Sequence, residues 1–276
     1  RILPPFVFFA VLYCLLPLAW GGMTWEQSVA DLKNLPLNFP SMAGHLWFMY
    51  PLISLYLIMP VISPWLEKAS AKDELIFLGI FAFSTFMPWL HKFVAPELWG
   101  ECFWNCYHML WYCSGFIGFL VMAHFVRFHI RWTVKKRLTV GTVCFLAGAG
   151  FTAWSFWWKG VPGVLIDTPI LEWAWEFCTP NVLCATFGLF LIFTCIGANK
   201  SCKLITGISK LSFGIYLMHM FFLAPIAAFF VNGNQANPIV PVYLAIPCIA
   251  LLTFVCCTIT AKLLSYVPGS RWFLGA

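Results

Sequence analysis

His45-Leu46-Trp47-Phe48-Met49-Tyr50-Pro51-Leu52-Ile53-Ser54-Leu55-Tyr56-Leu57-Ile58-Met59-Pro60-Val61-Ile62-Ser63-Pro64-Trp65 is a run of 21 residues without Asp, Glu, Lys or Arg. A helix that crosses a bilayer needs about 20 mainly apolar residues. The run stops at Glu67, Lys68, Lys72, Asp73 and Glu74, and an apolar stretch then resumes. This alternation of long apolar run and short charged connection continues along the chain. Segments 3–20, 45–65, 74–91, 104–126, 138–158, 180–198, 211–231 and 240–265 each read as a span. Segment 3–20 is short and carries Pro4, Pro5 and Pro17. The runs are continuous rather than alternating, which favours helical spans over a β-barrel. The expected fold class is therefore all-α, a polytopic helical membrane protein with eight visible transmembrane helices. No repeat, low-complexity segment or soluble domain interrupts residues 1–276, which read as a single transmembrane domain.

Composition agrees. Of the 276 residues 62% are hydrophobic and 9% charged, against about 45–50% and about 25% in ordinary soluble domains. Sixteen Lys and Arg with ten Asp and Glu cannot cover a water-soluble surface of this size. Disorder is excluded, because it requires low hydrophobicity and many charges. The net charge of +6 does not point to nucleic acid, since the basic residues sit in short connections between apolar runs. Twelve cysteines do not make a disulfide scaffold, because most of them (Cys14, Cys113, Cys144, Cys195, Cys248, Cys256, Cys257) lie inside apolar runs as small packing residues. The chain opens at Arg1 without an initiator Met, directly before an apolar run, and reads as a piece of a longer protein.

Orientation follows from Lys and Arg. One side of the membrane receives Arg1, Lys68, Lys72, Arg127, Arg131, Lys135, Lys136, Arg137, Lys200, Lys203, Lys210, Lys262 and Arg271, thirteen in all. The other receives only Lys33, Lys92 and Lys159. The positive-inside rule then places both visible termini in the cytoplasm. Glu26, Asp31, Glu97, Glu101, Asp167, Glu172 and Glu176 fall outside, either through simple solvation of the outer loops or as part of an outward-facing polar site for a hydroxylated substrate, while Glu67, Asp73 and Glu74 fall inside. The outer side also carries Trp20, Trp25, Trp99, Trp104, Trp154, Trp157, Trp158, Trp173 and Trp175. They read either as an interfacial aromatic belt or as stacking platforms for sugar rings.

Polar groups within spans are costly and mark cavities or pathways. His45, His108, His124 and His219 are such groups, each open to a plain reading as a packed helix histidine. His91 and His129, at span ends, carry little signal. Cys102, Cys106 and His108 form C-x3-C-x-H without a fourth ligand at suitable spacing, so no metal is expected. No G-x-S-x-G, H-E-x-x-H, Walker or Rossmann pattern occurs. The stretch from Arg127 to Arg137 is the densest charge cluster. It reads as topology plus anionic lipid, or as a landing site for the phosphates of an acyl donor.

Several segments resemble one family, the integral-membrane acyltransferase 3 family. Gly44-His45-Leu46-Trp47-Phe48 through Pro60 is similar to the family's H-L-W-F-L followed by Y-L-x-x-P. Ile208-Ser209-Lys210-Leu211-Ser212-Phe213-Gly214-Ile215-Tyr216-Leu217-Met218-His219 is similar to its late I-S-x-x-S-Y-G-I-Y-L-x-H, with Phe213 in place of the common Tyr. Trp111-Tyr112-Cys113-Ser114-Gly115-Phe116-Ile117-Gly118-Phe119 resembles an aromatic, Gly-containing middle span. Arg1-Ile2-Leu3-Pro4-Pro5 resembles the end of R-x-x-R-(I/L)-x-P-P. The resemblance runs in order over nearly the whole chain. It implies ten spans, of which the first two, with a basic residue and an essential His, would precede Arg1.

The resemblance also implies an activity: transfer of an acyl group, commonly acetyl, to hydroxyls of surface sugars or glycolipids. The donor would be acetyl-CoA or another acyl-CoA. The acceptor would be a carbohydrate or lipid-linked glycan, and the setting the inner membrane of a bacterium. His45 and Arg1 are the expected catalytic residues. Arg1, Arg127 and Arg131 would meet the donor. Trp47, Tyr56, Tyr216 and His219 would contact substrate. A rival reading is a transporter or flippase for a lipid-linked glycan, although no duplicated halves with broken helices are visible. A non-catalytic assembly subunit is the third. A requirement for a thioester donor separates the first from both.

Overall fold

The computed structural model describes residues 2–94, 107–161, 164, 166–196, 202–231 and 240–275. These form helices and no strand. In chain order they are α1 (Leu3–Leu15, extended by a 3-10 turn Leu16–Trp20), α2 (Trp25–Asn34), and a 3-10 turn Gly44–Phe48 running into α3 (Met49–Lys68). Then come α4 (Ala71–Ser84), α5 (Met87–Phe93), a 3-10 turn His108–Cys113, α6 (Phe116–Phe128), α7 (Val134–Lys159) and α8 (Thr168–Leu171). The chain closes with α9 (Pro180–Phe193), α10 (Lys203–Val231), α11 (Val242–Leu264) and α12 (Ser270–Leu274).

Seven helical segments are long and apolar enough to cross a membrane: Leu3–Trp20, Gly44–Lys68, Ala71–Phe93, Met109–Phe128, Val134–Lys159, Lys203–Phe230 and Val242–Leu264. The polytopic helical fold expected from the sequence is thus present. The segment expected at 180–198 differs in length. Its helix α9 has 14 residues, roughly 21 Å at 1.5 Å per residue against a hydrocarbon core of about 30 Å. The apolar pattern continues past Phe193, but the backbone turns there, with Cys195 N–H donating to Ile192 O. The Arg137 guanidinium donates to Thr194 O and Oγ1 at 3.4 and 3.1 Å, which satisfies carbonyl capacity left at the helix end.

The described chain divides into two compact units, residues 1–54 with 201–276 and residues 55–200. The first is built around Phe9, Ala10 and Tyr13 of α1, Ala43, Leu46 and Met49 at the start of the second span, Leu211, Ile215, Leu217 and Met218 of α10, and Cys257 and Ala261 of α11. Its short helix α2 is set by a capping box, in which Thr24 Oγ1 accepts from Gln27 N–H and Gln27 returns a bond to Thr24 N–H. Ser28 Oγ donates to Cys14 O at 2.7 Å and ties α2 to the end of α1.

In the second unit α7 and α9 approach through small residues. A Cβ added at Gly188 would lie 2.5 Å from Gly141 O and 2.6 Å from Phe145 N, and one at Gly148 would lie 2.3 Å from Asn181 O. Such close backbone approach is how spanning helices pack where lipid removes the hydrophobic drive. Asn181 adds hydrogen bonds to Thr152 Oγ1 and Ala174 O. Helix α4 packs on α6 by setting the fully buried Phe81 against Gly118, where an added Cβ would come within 2.2 Å of the ring. Trp173, grouped by sequence with the outer belt, is buried among Trp89, Phe93 and Phe151. Trp157, by contrast, is exposed, and Trp154 stacks on Trp158 at 5.4 Å.

Candidate active site

The first unit gathers its polar side chains around one turn of α10. Tyr13, two residues from the end of α1, is buried and stacks on Phe221 with ring centroids 4.0 Å apart. Its hydroxyl donates to Leu217 O at 3.0 Å. His45 enters from the Gly44–Phe48 turn, anchored by the fully buried Ala43, Leu46 and Met49 around it. Its Nε2 faces the same Leu217 O at 3.4 Å. Tyr216 reaches in the opposite direction, its hydroxyl donating to His45 O. His219, one turn on from Tyr216, places Nδ1 2.5 Å from Tyr216 O. The rings of His45 and His219 stand edge to face, 4.6 Å between centroids.

The partners fix the chemistry of both imidazoles. A carbonyl oxygen only accepts, so the ring nitrogen facing it carries the proton. His219 therefore holds its proton on Nδ1 and leaves Nε2 as an acceptor. His45 holds its proton on Nε2 and leaves Nδ1 as an acceptor. That Nδ1 is buried and has no hydrogen-bond partner among the described residues. The two tyrosine hydroxyl protons are committed to Leu217 O and His45 O. The site's donors thus face backbone carbonyls, and the two remaining ring nitrogens, His45 Nδ1 and His219 Nε2, offer lone pairs. Such an arrangement can take a proton from a bound hydroxyl group.

Two spaces adjoin this unit's polar groups. An apolar cavity of about 560 Å³ is lined by Tyr13, Pro17, Trp20, Met42, Met220 and Phe221, among others. A polar one of about 500 Å³ is lined by Asp31, Asn34, Leu37, Asn38, Phe39 and Ser41. In the latter Asp31 Oδ2 accepts from both N–H and Oγ of Ser41, at 2.9 and 2.8 Å, which closes the loop that leads to His45.

Comparison with known families identifies the family of the chain. The model of a family described as an acyltransferase domain matches residues 1–262. The chain belongs to the acyltransferase 3 family. No curated protein and no solved structure matches it. It is therefore a membrane acyltransferase, as the sequence resemblance implied.

In this acyltransferase the two best family-like segments meet in space. His45 of the first touches Tyr216, Leu217 and His219 of the second across 172 residues of chain or nearly so. Trp47 is half-buried in the same turn, its ring 5.8 Å from Phe48, which in turn lies 6.3 Å from Tyr216. The remaining expected residues are placed elsewhere. Tyr56 belongs to the second unit and its ring is exposed. Arg127 and Arg131 also belong to the second unit and are exposed, the Arg127 guanidinium lying over the Phe128 ring at 5.5 Å. Arg1, Cys102 and Cys106 lie outside the described residues, as does the side chain of His108.

Sequence reasoning missed Tyr13. Its signal was a lone hydroxyl inside an apolar span, which becomes informative only once its acceptor on α10 is known. It also gave Glu74 no role beyond a place among the inner-side acids. Glu74 is fully buried in the first turn of α4, and its Oε1 accepts from His124 Nδ1 and His129 Nε2, both at 2.9 Å.

Proposed function

We propose that this membrane acyltransferase moves an acetyl group from cytoplasmic acetyl-CoA, or a related acyl-CoA, to a hydroxyl of a surface or lipid-linked carbohydrate. The observation that carries the reading is the His45–His219 pair, whose protons face carbonyls and whose other ring nitrogens offer lone pairs, that of His45 without a partner among the described residues. In this reaction His219 Nε2 takes the proton of the acceptor hydroxyl as its oxygen attacks the thioester carbonyl. The carbon–sulfur bond then breaks, and the thiolate of the donor leaves with that proton. His45 packs edge to face against His219 and orients it, sharing the proton on its own Nδ1. Tyr13 and Tyr216 hold the backbone that holds both rings.

A carbohydrate acceptor suits the polar cavity, where a carboxylate, two amides and the Phe39 ring offer the hydrogen bonds and stacking face that a polyol uses. A lipid-linked acceptor suits the apolar cavity beside Tyr13. The donor's phosphates suit exposed cations, for which Arg127 and Arg131 are the described candidates and Arg1 the one implied by the family-like opening. The bacterial inner membrane, with both visible termini cytoplasmic, follows from the charge asymmetry and the family resemblance.

Inner-membrane vesicles carrying the protein, supplied with acetyl-labelled acetyl-CoA and a glycan acceptor, test the proposal. Label should enter an alkali-labile ester on the glycan. Transport of unmodified glycan with no dependence on the thioester would overturn it in favour of a flippase.

A further inference from the structure

The second unit holds a cluster that the acyl-transfer reading does not use. Glu74 lies in the first turn of α4, His124 within α6, and His129 at the residue where α6 ends. The helix terminates so that His129 N–H and Ile130 N–H both donate to Phe125 O. That turn carries the His129 ring back toward His124, five residues earlier. One carboxylate oxygen and two ring nitrogens, each able to ligate, then lie within 4.8 Å of one another. This is the group of three His, Cys, Asp or Glu side chains found in such a position among the described residues.

The hydrogen bonding around Glu74 is lopsided. Oε1 faces both imidazoles, whereas Oε2 is buried and has no partner among the described residues. The Ser70 cap does not relieve it, because Asp73 closes that capping box. A wholly buried carboxylate with an unpartnered oxygen is costly. A cation seated between Oε1, Oε2 and the two ring nitrogens removes that cost and gives Oε2 a partner.

We propose that Glu74, His124 and His129 bind a divalent transition-metal ion, zinc by ligand chemistry, that clamps the start of α4 to the end of α6. Two imidazole nitrogens with one carboxylate suit zinc and its first-row neighbours. Magnesium and calcium prefer all-oxygen sets. Both histidine side chains retain about a quarter of their exposure, 23% and 24%, so an ion has an entry path. Only three residues ligate, so the remaining coordination falls to Glu74 Oε2 or to water. The same two helices are already joined by Phe81 on Gly118, and the metal fixes their other contact.

The test uses the whole protein purified in detergent and stripped with a chelator, with Co2+ as the probe. The chain should take up about one Co2+ with visible bands of nitrogen and oxygen ligation and no thiolate charge-transfer band, and Zn2+ should displace it. His124→Ala and His129→Ala should each weaken binding by at least the roughly 10–100-fold that loss of a supporting partner costs at metal sites. His91→Ala should bind as the parent does. Glu74→Gln should also lose the ion. Should that variant fail to fold, the partly exposed histidine variants carry the result alone. Absence of Co2+ uptake, a spectrum dominated by cysteine thiolate, or unchanged affinity in both histidine variants would overturn the proposal.

Discussion

Two pairs of histidines face each other across very different partners in this protein. His45 and His219 point protons at backbone carbonyls, on Leu217 and Tyr216. His124 and His129 point ring nitrogens at one buried carboxylate, on Glu74. A carbonyl fixes a tautomer and leaves the other nitrogen free to exchange protons. A buried carboxylate fixes the ring in place and engages the nitrogen that faces it. The first arrangement suits chemistry and the second suits holding. Residue type alone does not separate them, since both are pairs of His within or beside apolar spans.

The sharpest way to break this contrast is to delete one member of each pair. His219→Ala should lower acyl transfer by about a hundred- to ten-thousand-fold, the range general-base catalysis supplies, while the thermal unfolding midpoint stays near that of the parent. Glu74→Ala should do the reverse. It takes the acceptor from two imidazoles, each hydrogen bond to a charged group being worth about 1.5–3 kcal/mol, visible as a lower unfolding midpoint in detergent. Equal losses of activity and stability in both variants would erase the distinction. A smaller effect is expected where backbone touches backbone. Gly188→Leu drives a side chain into Gly141 O and Phe145 N, and should destabilise by about 1–3 kcal/mol as overpacking does, read in the same unfolding assay. Tyr13→Phe is gentler still. It removes one donor from Leu217 O, worth about 1 kcal/mol, and should slow turnover by up to about tenfold if that carbonyl positions His45.

The sequence made the spans legible because each is a continuous apolar run bounded by charge, and helix is the structure that satisfies such a run's backbone in lipid. It overextended the segment at 180–198 because hydropathy does not register where a backbone turns, nor that Arg137, read with the cytoplasmic cations, caps Thr194. His45 and His219 were legible through the family-like segments that carry them. Their tautomers were not, because these depend on carbonyls contributed by another helix or by an earlier turn. The burial of Glu74 was not legible, since it sits beside Lys72 and Asp73 in a charged connection. Its burial comes from α6, with His124 fifty residues away in sequence. Trp173 belongs to the same class: a tryptophan near a span end looks interfacial until the Trp89 and Phe151 rings close over it.

The central claim is that His219 accepts the proton of the attacking hydroxyl while His45 holds it in place. Single-turnover transfer of labelled acetyl from bound acetyl-CoA to glycan, compared between the parent, His219→Ala and His45→Ala, tests this most directly. The account predicts donor binding unchanged in all three, transfer reduced at least about a hundredfold in His219→Ala, and a smaller but clear loss in His45→Ala. Parent-like transfer by a folded His219→Ala protein would contradict it.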